Sequence, residues 1–208
     1  MKKIVFTIVV ISVTLTTTAQ VRFGVKGGLN LSNLSKVKME IGRVEFPTPG
    51  KNEIIAGLLL GGYVNYGFTD LLAMQVELMF SMQGATFNIS SNRETVRLNY
   101  INIPMLIDVK PVKPIPISLL VGPQFGFCVG KFSDGKKMKE EQAVAHRDFD
   151  FSVALGVQYT FIEHLALGVR YNIGITPSRD VSFAYEEKGD RAIGARNNVL
   201  QLSVGWTF

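Results

Sequence analysis

The sequence predicts an all-β fold: an eight-stranded antiparallel up-and-down transmembrane β-barrel. Three observations predict it. Apolar residues alternate with small or polar ones through eight segments, which is the side-chain period of a strand. The last segment, Asn197 to Phe208, puts Leu200, Leu202, Val204, Trp206 and Phe208 on one face and stops on an aromatic, where a soluble chain usually frays into water. Mean hydropathy is +0.21 and 47% of residues are hydrophobic. Beyond the N-terminal segment, however, no apolar run approaches the ~20 residues of a membrane-spanning helix, so entry into a membrane has to be by strands.

At the N-terminus Lys2 and Lys3 precede an apolar run, Ile4 to Val13, and the stretch Thr14 to Ala19. This is the charged, apolar, small-residue order of a secretory signal, too short to span lipid as a helix. Residues 1–19 are therefore expected to be cleaved after Ala19, leaving residues 20–208 as a single barrel domain. Without Lys2 and Lys3 the chain has 20 basic and 17 acidic residues, a net charge of +3. That is a mild bias, not a polyanion-binding signature, and no nucleic-acid partner is expected. A single cysteine, Cys128, excludes an intramolecular disulfide and a cysteine metal cluster.

The strands follow in order. The first sets Val21, Phe23, Val25, Leu29 and Leu31 against Arg22, Gly24, Lys26, Gly28 and Asn30. Residues 32–53, charged and without a period, read as a long loop. The second strand, Ile54 to Tyr66, opposes Leu58, Leu60 and Val64 to Gly57, Leu59, Gly61, Tyr63 and Asn65, and Gly67 to Asp70 is a tight turn. The third opposes Leu72, Met74, Val76, Leu78, Phe80 and Met82 to Ala73, Gln75, Glu77, Met79, Ser81 and Gln83, and a loop is expected from Gly84 to about Thr95. The fourth, about Val96 to Val109, is ambiguous in phase. Ile101, Ile103, Met105, Ile107 and Val109 form one clean face while Leu98 and Tyr100 belong to the other, so a bulge or register change is expected near Asn99. Pro104 lacks the donor an interior ladder requires.

Lys110 to Pro116 is a short connection. The fifth strand opposes Ile117, Leu119, Val121, Phe125, Phe127 and Val129 to Ser118, Leu120, Gly122, Gln124, Gly126 and Cys128, and Lys131 to Asp148 reads as a charged loop. The sixth opposes Phe149, Phe151, Val153, Leu155, Val157, Tyr159 and Phe161 to Asp150, Ser152, Ala154, Gly156 and Gln158, and turns at Ile162-Glu163. The seventh opposes Leu165, Leu167, Val169, Tyr171, Ile173 and Ile175 to Ala166, Gly168, Arg170, Asn172 and Gly174. A long loop, Pro177 to about Arg196, leads to the eighth, which is expected to pair with the first.

An even strand number with long and short connections in alternation is the pattern of bacterial outer-membrane barrels, with short turns and both termini in the periplasm. A soluble lipocalin-like barrel would show an outer face rich in Lys and Glu, whereas here the polar face is mostly Gly, Ser, Ala, Gln, Asn and Thr. Small polar residues suit a narrow lumen, which eight strands fill with their own side chains. Arg22, Lys26, Glu77, Asp108, Asp150 and Arg170 would face that lumen and must be paired or hydrated there. They are expected to form a structural polar network; the competing reading is a gated path for a small ion or solute. His146 and His164 fall in an outer loop and at a periplasmic end, too far apart for a shared metal site. No Ser, His and carboxylate constellation is apparent, so no catalytic, cofactor or metal residues are assigned and no enzyme activity is expected. The loops mix both signs of charge, consistent with solvated faces and contacts to lipopolysaccharide phosphates.

Several stretches together resemble the PorT-like outer-membrane β-barrel family typical of Bacteroidetes. They are residues 23–34, beginning Phe23-Gly24-Val25-Lys26-Gly27-Gly28, and residues 98–107, Leu98-Asn99-Tyr100-Ile101-Asn102-Ile103-Pro104-Met105-Leu106-Ile107. Gly122-Pro123-Gln124-Phe125-Gly126, residues 167–174 and the closing strand also match. In that family a carboxylate more often stands in place of Asn102. The resemblance implies an outer-membrane barrel and accommodates Pro104. Its namesake is associated with type IX protein secretion and gliding, which implies an accessory role in secretion through a secretion or envelope protein partner. Taken together, the expected function is that of a structural or interaction protein acting through extracellular loops or the periplasmic rim. Outer-membrane lipid and lipopolysaccharide are expected around it, and Trp206 and Phe208 are expected to be the signal read by the barrel-insertion machinery.

Overall fold

The computed structural model describes residues 20–34, 38–41, 44–47, 51–89, 92–111, 115–133, 136–137, 148–176, 191–193 and 196–208. The expected signal segment and His146 lie outside the described residues. Eight strands build the barrel: β1 (Gln20–Leu34), β2 (Ile55–Gly67), β3 (Leu72–Ile89), β4 (Asn92–Val109), β5 (Ile117–Ser133), β6 (Phe149–Ile162), β7 (Leu165–Gly174) and β8 (Asn197–Thr207). Each pairs antiparallel with the next, and β8 pairs with β1 from Gly24↔Thr207 to Leu34↔Asn197, so the sheet closes with no open edge.

The registers also set the tilt. Partners followed once round from Tyr100 run through Ser81, Leu59, Gly28, Ser203, Gly168, Gln158 and Ser118. Leu119 pairs with Val109, so Ser118 faces the position of Lys110, ten residues along β4 from the start. A shear of ten over eight strands, at ~3.3 Å per residue and ~4.8 Å between strands, tilts the strands roughly 40° from the barrel axis.

The alternation sorts the two faces. Lys26, Asn30, Gln75, Glu77, Ser81, Asn102, Asp108, Gln124, Arg170, Asn172 and Gln201 point inward, none more than 6% exposed. Along the middle of every strand the outward face is apolar, with Leu58 60%, Leu60 65%, Leu78 60%, Leu155 49% and Val169 51% exposed. A soluble protein rarely exposes an apolar patch beyond a few hundred Å²; this one encircles the molecule, and only lipid can cover it. Phe23, Phe161, Trp206 and Phe208 lie on the outward face toward the short connections, and Phe127 and Phe149 toward the long ones, the placing of two interfacial girdles.

Several local expectations are corrected. Gly84–Ile89 and Asn92–Thr95 are ladder rather than loop, since β3 and β4 stay paired as far as Ile89↔Asn92. Their cross-strand pairs mix polar and apolar residues, with the Thr86–Thr95 hydroxyl pair at 3.1 Å beside Phe87↔Glu94, so a search for apolar alternation misses them. Gly84 adopts a positive φ of 143° here, and a Cβ on it would sit 2.0 Å from the Val96 carbonyl oxygen. Within residues 32–53, Lys38–Ile41 pairs with Val44–Pro47 and with Arg191–Ile193, and Lys51–Glu53 pairs with β3. Lys136–Lys137 pairs back onto the end of β5. These pieces are too short to show a period.

β4 keeps a single phase: Val96, Leu98, Tyr100, Asn102, Pro104, Leu106 and Asp108 all face inward and are buried. Leu98 and Tyr100 belong to an apolar cluster with Val96 and Cys128 inside the lumen, so no phase change was required. The irregularity expected near Asn99 exists, but on the partner. Asn99 pairs with Gly130 and Tyr100 with Cys128, leaving Val129 of β5 as the extra residue of a bulge. Around Pro104 the β3–β4 ladder lapses between Val76↔Met105 and Met79↔Asn102 without losing register, the local cost of a missing donor.

Candidate functional site

Among the described residues, ionisable side chains converge inside the lumen. Strand alternation carries Lys26 inward from β1, Glu77 from β3 and Arg170 from β7, residues distant in sequence that meet because an eight-stranded interior is only as wide as the side chains that fill it. The Glu77 side chain is fully buried. Its Oε1 accepts from Lys26 Nζ at 2.7 Å, Arg170 Nη2 at 2.6 Å and Gln75 Nε2 at 2.6 Å, and its Oε2 accepts from Arg170 Nη1 at 2.8 Å. The Arg170 contact is the two-pronged geometry that a planar guanidinium offers a carboxylate. Asn65 Nδ2 donates to Gln75 Oε1 at 3.2 Å and to Asp108 Oδ2 at 3.0 Å, which ties a second carboxylate into the cluster. Two cations and two anions therefore share one buried network, as burial of charge demands.

Toward the long connections the hydrogen bonds run mostly between neutral groups, and Asp150 adds a carboxylate. Asn172 Nδ2 donates to Gln124 Oε1 at 3.2 Å, and Gln124 Nε2 to Ser152 Oγ at 3.2 Å. Asn30 Nδ2 and Gln83 Nε2 donate to Ser81 Oγ at 2.9 and 2.6 Å, and Asn197 Nδ2 donates to Gln83 Oε1. Asp150 accepts from Thr176 Oγ1 at 3.1 Å, and Ser32 Oγ both accepts from Gly84 N and donates to Gly84 O. Apolar side chains interleave with these groups: Leu106, Leu120 and Ala154 form one buried cluster, and Val96, Leu98 and Tyr100 another.

The closing seam has a tie of its own. The Tyr63 hydroxyl of β2 reaches across β1 to Thr207 Oγ1 of β8 at 2.6 Å. Its ring passes directly over Gly24, where a Cβ would lie 2.2 Å from Tyr63 Cζ, so a glycine is required beneath it. The same ring lies 5.2 Å from Lys26 Nζ. Beyond Thr207 the Phe208 amide donates to Phe23 O at 2.8 Å, continuing the ladder to the last residue. His164 stacks on Trp206 at 5.5 Å, and its Nδ1 lies 2.9 Å from Thr207 O.

Of the residues expected to line the lumen, Lys26, Glu77 and Arg170 meet directly, and Asp108 joins them through Asn65 and Gln75. Asp150 is buried but stands apart, near the long-connection end. Arg22 shares the inward register position opposite Asn65 but is exposed at the short-connection mouth. Trp206 and Phe208 face outward at that same end, 44% and 73% exposed. Charge alone did not single out Asn65, Gln75, Tyr63 or Thr207; their inward phase was the available signal. Among the described residues no group of three His, Cys, Asp or Glu side chains is placed to hold a metal ion.

Residues 16–180 match the family described as "Outer membrane protein beta-barrel domain". No curated protein matches the chain. Among solved structures, it is similar to the outer membrane protein OprG from Pseudomonas aeruginosa, with 13% identity over 90% of this chain and 95% of that one and a TM-score of 0.48. It is also similar to Ail, the attachment invasion locus protein of Yersinia pestis, with 12% identity over 91% and 99% of the two chains and a TM-score of 0.47. A third is Neisserial surface protein A, with 16% identity over 89% and 97% and a TM-score of 0.45. A closed eight-stranded wall, apolar outside and polar within, accompanies a family match over most of the length, and the chain belongs to the outer membrane protein beta-barrel domain family.

Proposed function

We propose that this small outer-membrane barrel is a structural and interaction protein, its lumen closed by its own side chains and its contacts made by extracellular loops or the periplasmic rim. The observation that carries this reading is Glu77, a fully buried carboxylate that receives four hydrogen bonds from β1, β3 and β7 and so ties the walls together across the axis. In this reading residues 1–19 are a signal removed on export, and the short connections and both termini face the periplasm. Lipid and lipopolysaccharide surround the wall, and the insertion machinery reads Trp206 and Phe208 during assembly. We assign it no catalytic residue. The PorT-like resemblance of residues 23–34 and 98–107 adds a finer expectation, an accessory role in protein secretion with an envelope protein as partner. Co-purification from native outer membranes tests it: a stable secretion component in stoichiometric amount supports that role, and recovery of the barrel alone counts against it.

The competing reading is a narrow path for a small solute or ion. One feature favours it: Asn30 Oδ1, Asn102 Nδ2, Asp108 Oδ1 and Asn172 Oδ1 are buried without a protein partner among the described residues, positions that internal water would serve. Planar-bilayer recording separates the two. The closed-lumen reading expects no steady conductance, and a persistent open state overturns it.

A further inference from the structure

Among the described side chains, the outward wall of the barrel is uncharged with one exception. Among the described side chains of the eight strands, Arg97 of β4 is the single charged group on the outward face. It is exposed, and it makes no ion pair or hydrogen bond among the described residues. Its ladder neighbours supply no counter-charge, being Gly84 on β3 and Phe132 on β5.

Its height on the wall is informative. The outward row of β4 is apolar from Val109 to Ile101, becomes polar at Asn99 and reaches Arg97 two residues later. At ~3.3 Å per residue and a tilt of roughly 40°, the row from Val109 to Ile101 covers about 20 Å of axis and Arg97 stands about 10 Å beyond Ile101. An outer-membrane barrel shows lipid an apolar band about 25 Å tall, so Arg97 is level with the headgroups. The wall beside it remains lipid-like: Val129, pushed out by the bulge, is 60% exposed. The Phe132 ring lies over Gly130, where a Cβ would come within 3.0 Å of Phe132 Cε2.

We propose that Arg97 is a binding site for the phosphate of a lipid headgroup in the leaflet at the long-connection end, with Phe132 and Val129 flanking the lipid below it. A guanidinium presents paired donors that match phosphate oxygens, and no carboxylate among the described residues pairs with it. The site needs no change in the barrel to bind, because Arg97 already projects from a paired strand.

The full-length protein in detergent is titrated with lipid A, with dephosphorylated lipid A and with inorganic phosphate, as wild type, Arg97→Gln and Arg97→Lys. One basic residue near an anionic surface contributes about 1 kcal/mol, or roughly fivefold in affinity. Arg97→Gln should therefore weaken lipid A binding about fivefold, Arg97→Lys should weaken it less, and neither should alter binding of the dephosphorylated lipid. Inorganic phosphate should fail to compete. Equal affinity of wild type and Arg97→Gln for lipid A overturns the proposal, and full displacement of the lipid by inorganic phosphate overturns the assignment to a lipid. Heat-modifiable gel migration confirms that each variant is folded.

Discussion

Glu77→Gln tests the lumen most directly. The substitution preserves shape but removes one negative charge from a site whose side chain is fully buried, leaving Lys26 and Arg170 facing an amide. Three of the four donors that converge on Glu77 come from charged groups, and a glutamine Nε2 would point a donor at donors. Removing one partner of a buried pair costs about 3–5 kcal/mol because the other charge is left uncompensated. Asp108, the second anion of the network, holds the loss toward the lower figure. For a chain of this size each kcal/mol lowers Tm by about 2–4 °C, so a loss near 3 kcal/mol should lower it by about 6–12 °C. Detergent-solubilised wild type and variant would be heated in parallel and scored by heat-modifiable migration and circular dichroism, with conductance measured on the same preparations. Replacing Arg170 with Met in the same chain should recover part of the loss, since the stranded cation is then gone. An unchanged Tm with a large rise in conductance would refute the structural role and make the triad a gate.

Gly24→Ala should lower stability by about 1–3 kcal/mol, the cost of forcing a methyl into occupied space, because the new carbon would lie 2.2 Å from the Tyr63 ring. Tyr63→Phe, which loses only the hydrogen bond to Thr207, should cost about 1 kcal/mol, and a larger loss for Tyr63→Phe than for Gly24→Ala in urea titrations would contradict this account of the seam. Leu98→Ala removes a fully buried side chain from the cluster with Val96 and Tyr100 and should cost about 2–5 kcal/mol in the same titration; a cost below 1 kcal/mol would mean the upper lumen is not packed. Deleting Phe208 removes the aromatic that follows β8 and the amide that bonds to Phe23 O, and should reduce the heat-modifiable, folded fraction recovered from outer membranes. Normal recovery would remove Phe208 from the assembly signal.

Much of this molecule is legible in sequence because a membrane barrel imposes its rule on every second residue. Lipid outside and a narrow lumen inside leave each strand one permitted phase, so Leu155 and Val157 go out and Ala154 and Gly156 go in with no knowledge of their neighbours. The rule fails where a residue obeys it for another reason. Leu98 and Tyr100 are apolar yet inward, because the upper lumen is packed with apolar side chains as well as polar ones. Along Gly84–Ile89 and Asn92–Thr95 the ladder continues on mixed pairs such as Thr86↔Thr95 and Phe87↔Glu94, and apolar contrast weakens while strand pairing does not.

The sequence by itself determined the fold class, the number of strands and the inward set that includes Lys26, Glu77, Asp108 and Arg170, since each of these follows from local alternation. Only the tertiary structure decided which of them meet. Contact across a barrel depends on how far each strand is staggered against the next, and that stagger accumulates round the ring to ten residues. It brings Arg170 onto Glu77, leaves Asp150 to Thr176, carries Arg22 out to the mouth and lifts Arg97 clear of the apolar band. No single strand contains that sum, because register is a property of pairs of strands and closure a property of all eight.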